Sequence, residues 1–193
     1  MNMTRSDDGY AVSGEINGHY YVDLGLSVKW ADRNIGALSS RAYGADFAWG
    51  EAESKHLYTY TVPNSYTRQV GMGDIAGNAE HDAATANWGS KWRMPTVDEF
   101  EELLEQCSWV WTHRKGLYGY LVTGPNGNSI FLPAAGERDG TSLHQVGSGG
   151  YYWSSTTGSR IAGNAYYLYF NSNRLSLNYG HCGCLRRVRP VTE

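Results

Sequence analysis

Apolar and polar positions alternate over most of the second half of the chain, and that period of two predicts strands. Tyr166, Leu168 and Phe170 alternate with Tyr167, Tyr169 and Asn171, so one face suits a core and the other suits solvent. In "SWVWTHR", Trp109 and Trp111 fall on one side. Residues 117–132 read as a strand, a "GPNGN" turn and a second strand over 129–132. "GGYYWSST" sets Tyr152 and Ser154 opposite Tyr151 and Trp153, and "RVRPV" reads as a closing strand. Residues 19–31 predict a strand, a Gly-marked turn and a second extended piece.

A helical period is clearest in "TVDEFEELLEQC". Val97, Phe100, Leu103, Leu104 and Cys107 share one face. Thr96 can cap it, and Glu99, three residues later, completes a capping box. Pro95 bars a helix from running in from the preceding segment. Residues 79–88, "AEHDAATANW", predict a second, short helix stopped by Gly89. Residues 32–73 are rich in Gly, Ser, Tyr and Asn and show no period. They predict loop, anchored by Phe47, Trp49 and Tyr58. Two early helices followed by short antiparallel strands predict a loop-rich α+β fold. Residues 1–18 read as an N-terminal extension, partly disordered, and 19–193 as a single domain.

Composition narrows the function. Fifteen Tyr, seven Trp and 24 Gly suit irregular segments held by large rings. A net charge of −3 gives no general attraction to nucleic acid. No apolar run reaches the ~18 residues of a membrane span, so no membrane insertion is expected. The N-terminus lacks the apolar stretch of a signal peptide. Three cysteines do not make a disulfide framework.

Chemical motifs are absent or half-formed, so no catalytic residue, metal site or cofactor is expected. His81 with Asp82 reads as a structural pair. Cys182 and Cys184 are half a metal site at best and read as incidental thiols in a varied loop. Cys107 reads as a small core residue. The acidic run 98–102 reads as a solvated face at a helix start. Trp30, Trp49, Trp88, Trp92 and Trp109 read as core. Arg186, Arg187 and Arg189 form a basic patch, expected to pair with nearby carboxylates.

Several ordered segments carry a resemblance: "YVDLGLSVKWADRNIGA", "YGADFAWGE", "DAATANWGSKWRMPTVDEFEELLEQCSWVW", "GYLVTGPNGNSIFLPAAGERDGTSL" and "GYYWSSTTGSRIAGNAYYLYFNS". The chain from about Tyr20 onward resembles the major paralogous domain first described in Fibrobacter and abundant in gut bacteria and their phages. That family is similar to the C-type lectin fold, in the branch shared with formylglycine-generating enzymes and the variable proteins of diversity-generating retroelements. The family's Gly-x-Ser before "VRPV" is replaced here by Leu185, Arg186 and Arg187.

The resemblance implies a non-enzymatic, receptor-binding or adhesin-type variable protein on a phage particle or bacterial cell surface. Its ligand would be a cell-surface protein or glycan. Residues 156–187 would form the variable face, with ligand contacts at Thr156, Thr157, Ser159, Arg160, Ile161, Asn164, Tyr167, Tyr169, Asn171, Asn173, Arg174, Ser176, Asn178, Tyr179 and His181. Trp153, Tyr166, Leu168 and Phe170 would face inward. Such a division is physically reasonable: core changes cost several kcal/mol each, roughly 2–5, and outer ones about 0.5. Two other readings remain. A formylglycine-generating-type oxidase would need a copper-binding cysteine pair, and only Cys182 and Cys184 are at hand, one residue apart. A calcium lectin would need six to eight clustered oxygens, and Glu137, Asp139 and Asn164 are sparse.

Overall fold

The computed structural model describes residues 11–55, 72–158 and 163–193. Tyr58, expected as an anchor, lies outside them. Asn17 and Gly18 both take positive φ, 53° and 79°, as a type I′ hairpin requires. They fold β1 (Gly14–Ile16) onto β2 (His19–Val22), with Gly14 opposite Tyr21. β1 corrects the expected boundary, since residues 14–16 belong to a sheet and not to an extension. β3 (Lys29–Ala31) follows β2, and β12 (Val191–Thr192) pairs with the other edge of β3, giving the order β1-β2-β3-β12. The closing strand is thus two residues long, shorter than "RVRPV" suggests.

The short helix α1 (Ala83–Trp88) begins four residues later than its alanines predict. Asp82 explains this. Its carboxylate accepts N–H groups from Ala84 and Thr85 and so caps the helix there. The same carboxylate accepts from Gly77 and Met94, and the residue is fully buried. Burial pushes its carboxyl above the ordinary range, and the four N–H groups pull it back.

Helix α2 (Val97–Gln106) carries the complete capping box between Thr96 and Glu99. The acidic run is less solvated than expected. Glu99 pairs with Arg93 at 2.6 Å, and Glu102 accepts from the Ser27 amide and hydroxyl. Phe100 and Leu103 are buried, with Leu104 and Cys107 packed beside the same core.

Strands β4 (Ser108–Arg114), β5 (Leu117–Thr123) and β6 (Ser129–Pro133) form an antiparallel meander. The hairpin of β7 (Glu137–Asp139) and β8 (Ser142–His144) follows. The last sheet holds β9 (Gly149–Thr157), β10 (Asn164–Asn171) and β11 (Arg174–His181), in the order β11-β10-β9. The architecture is α+β, with two helices and many short antiparallel strands among the described residues.

Two large apolar clusters fill the interior among the described residues, beside a small contact of Ala48 with Leu185. The first gathers Trp30, Phe100, Leu103, Val122, Leu132, Tyr152, Leu168 and Phe170. The second gathers Phe47, Trp49, Trp88, Trp92, Trp153, Ala165 and Cys182. Phe47 and Trp49 thus anchor their loop as expected, the latter by donating Nε1–H to the Ser154 carbonyl at 2.8 Å. Trp30, Trp88 and Trp92 are buried, and Trp109 packs on the first cluster.

The three late arginines are not a surface patch. All are buried. Arg186 pairs with Glu137 at 2.7 Å and Arg187 with Asp46. Arg189 pairs with no carboxylate among the described residues and instead joins two segments. Nε donates to Asn34 Oδ1 at 2.7 Å, Nη1 to the carbonyls of Ala31 and Asp32 at 3.1 Å each, and Nη2 to the Phe131 carbonyl at 2.9 Å.

Candidate ligand-binding face

Strand pairing decides which side chains share a face. Tyr167 lies opposite Asn178 and Trp153, Tyr169 opposite Ser176 and Tyr151, and Asn171 opposite Arg174. These residues, with Ala165 and Gly180, form one side of the β9–β11 sheet. The other side carries Tyr166, Leu168 and Phe170 opposite Tyr179, Leu177 and Leu175. Its middle is closed by α2 and the first core cluster.

Trp153 therefore does not share the side of Leu168 and Phe170, as expected, but that of Tyr167. It stays buried because the second cluster covers that end of the sheet. Both sides of β9 are covered, and seven consecutive residues from Gly149 are buried. The Arg186 guanidinium completes this cover. It lies 3.6 Å from the Tyr167 ring centroid and 4.1 Å from that of Trp153. A Cβ at position 180 would stand 3.1 Å from both Arg186 Nη2 and Tyr167 Cε1, so either side chain would have to give by a few tenths of an ångström.

Beyond Arg186 the same side opens. Tyr151, Tyr167 and Tyr169 form a floor, with ring centroids 6.0 Å and 5.0 Å from Tyr151. The Tyr169 hydroxyl donates to Gln145 Oε1 at 3.2 Å and accepts from Asn171 Nδ2 at 2.9 Å. Asn178 donates to the Ser176 hydroxyl at 3.3 Å. Arg174 is exposed, with its guanidinium 5.9 Å from the Tyr169 ring. Burial pushes the phenols of Tyr151 and Tyr167 upward, so both stay neutral and able to donate.

The expected contact residues divide. Tyr167, Tyr169, Asn171, Arg174, Ser176 and Asn178 come together on this side. Asn164, Tyr179 and His181 are on the other. Tyr166 and Tyr179 meet there edge to face at 6.1 Å, and neither is buried. Asn173 sits in the two-residue turn, its amide held by Asn171 Oδ1. Thr156 is structural: its hydroxyl accepts from the Val97 amide and donates to Asp74. Thr157 donates to the Asn164 carbonyl at 3.4 Å. Ser159, Arg160 and Ile161 lie outside the described residues. The expected end of the face at 187 is also corrected, because Cys182, Leu185, Arg186 and Arg187 are buried. Gln145 and Tyr151 join the face without a signal in the late segment. The strand partnership with Tyr169 reveals Tyr151, and the bond from the Tyr169 hydroxyl reveals Gln145.

Cys182 lies in the turn after β11, as expected, but packs into the second core; burial raises it to about 12, and Cys184 to about 11. Both are thiols at neutral pH, the weaker form for a metal. Among the described residues no group of three or more His, Cys, Asp or Glu gathers. His81 directs Nδ1 to the Gly50 carbonyl at 3.1 Å. No known protein family, curated protein or solved structure matches the chain.

The two kinds of tyrosine differ in a measurable way. Tyr167→Ala removes the support of Arg186 and Trp153 and is expected to cost about 2–3 kcal/mol. Tyr179→Ala, at a position 49 % exposed, is expected to cost less than about 1 kcal/mol. Urea unfolding of the two variants compares them, and equal losses would contradict the assignment.

Proposed function

We propose that this chain is a non-enzymatic binding protein that displays an exchangeable face on a C-type lectin-like scaffold, in the manner of the variable proteins of diversity-generating retroelements. The carrying observation is the open side of β10 and β11. Tyr169, Asn171, Arg174, Ser176 and Asn178 lie side by side there, above strands whose opposite side is closed by Leu168 and Phe170. Tyrosine offers contact area with few torsions to freeze, and Ser and Asn offer adaptable hydrogen bonds. Changing these side chains leaves both core clusters intact. The pairing of β3 with β12, which brings early and late strands into one sheet, is compatible with the lectin-like scaffold. On this reading the protein belongs to a phage particle or bacterial surface, and its ligand is a protein or glycan on another cell.

The test is binding of the labelled chain to intact cells from a panel of gut bacteria. Ser176→Arg combined with Asn178→Arg is expected to abolish binding without a change in melting temperature. Ser108→Arg, at an exposed position on β4, is expected to leave it intact. Equal binding by both variants would remove the face from consideration. The exchange itself is tested by sequencing the gene's 3′ end against a neighbouring near-copy: differences confined to adenines beside a reverse transcriptase gene are the expected result.

A further inference from the structure

The chain contains 19 acidic residues, yet none lies between Gly140 and Thr192. That stretch holds five arginines. All of β9, β10 and β11 fall within it, so these strands carry no carboxylate; Glu137 of β7 stands at the closed end, paired with Arg186. Arg186 and Arg174 flank the tyrosine floor, the first over Tyr167 and the second over Tyr169. Arg186 is 3 % exposed, gives Nε to Glu137, and has no acceptor at Nη1. Arg174 is exposed and makes no ion pair among the described residues.

What else the face offers decides the class of anion carrier. Its open groups are phenol rings, hydroxyls and amides. The exposed Leu175 and Tyr179 are on the reverse side. Among the described residues of β9, β10 and β11, no exposed aliphatic side chain lies on this side to add to the apolar centre of a protein interface. A sugar ring stacks on aromatic side chains and hydrogen-bonds through its hydroxyls, and a carboxylate on it makes a charge-assisted bond to a guanidinium. We infer that the β9–β11 face recognises an acidic glycan, with a carboxylated sugar held by Arg174 beside Tyr169, Ser176 and Asn178. This rests on the binding-face reading and names its ligand class.

The experiment is an NMR titration of the full 15N-labelled chain with N-acetylneuraminate, glucuronate, neutral N-acetylglucosamine and a tetraglutamate peptide. The acidic sugars are expected to shift β10 and β11 amides saturably, with millimolar dissociation constants. Arg174→Met, an exposed substitution whose fold the same spectra verify, is expected to weaken them about tenfold. Added salt is expected to weaken them further. Equal binding of the neutral sugar, equal or stronger binding of the peptide, an unchanged Arg174→Met titration, or no shift at all would each overturn the inference. If these titrations fail while Ser176→Arg with Asn178→Arg still abolishes cell binding, the glycan assignment falls alone. If cell binding also survives that double change, the binding face itself is wrong.

Discussion

Replacing Arg189 by alanine is expected to remove about 3–5 kcal/mol of stability, the range seen when one side of a buried polar network is deleted. The side chain has no exposed surface, and its four bonds join the loop after β3, through Asn34 and the Ala31 and Asp32 carbonyls, to the Phe131 carbonyl of β6. Deletion leaves four acceptors buried without a donor, and each such loss costs about 1–3 kcal/mol before relaxation. Domains of this size have about 5–15 kcal/mol in total, so Arg189→Ala is expected to be marginally folded at 37 °C. Arg189→Lys keeps a charge but cannot reach all four acceptors from one point, and an intermediate loss is expected. Urea unfolding at neutral pH checks both. A loss below about 1 kcal/mol for the alanine variant, the size of an ordinary surface change, would show that water or backbone movement satisfies the abandoned carbonyls.

Asp82 is the second site of large expected effect. Its two oxygens accept N–H groups from Gly77, Ala84, Thr85 and Met94, which ties α1 to the segment before it and to the approach to α2. Asp82→Ala is expected to cost about 3 kcal/mol or more, since a helix cap alone contributes about 0.5–2 kcal/mol and the remaining amides stay buried without acceptors. Asp82→Asn is the finer probe. One oxygen survives, but the new amide sets N–H groups against the Gly77 or Met94 N–H. An intermediate loss is expected, with amide hydrogen exchange accelerated first at Gly77 and Met94. Equal stability of the Asn variant and the parent would mean that charge and second acceptor are both dispensable.

The parts legible in the sequence are those whose causes are local. The α2 capping box needs only Thr96 and Glu99, and the alternation of Leu168 and Phe170 with Tyr169 marks β10 without knowledge of its partners. The start of α1 was misjudged because alanine propensity says nothing of the four N–H groups that converge on Asp82. The Asn17–Gly18 turn signal was present, but β1 is only three residues long. Trp153 shows a different limit. Alternation tells which residues share a side, but not which side is covered, and here both are. A register shift between Ala165 and Tyr167 adds to this, since two residues of β10 span four of β9. The burial of Arg186, Arg187 and Arg189 was invisible for the same reason. Their partners Glu137, Asp46 and Asn34 are 49 or more positions away.

The pairing of Val191 with Trp30 in the first sheet has a mechanical consequence. A pull on the tail would draw first on the two-residue β12 ladder and on the backbone pair of Val191 with Arg93, and that load would enter through the sheet of β1, β2 and β3 and the segment before α2. The tyrosine floor belongs to a separate sheet with its own hydrogen bonds. A molecule tugged from the tail would thus yield at its anchorage before the tyrosine floor is distorted.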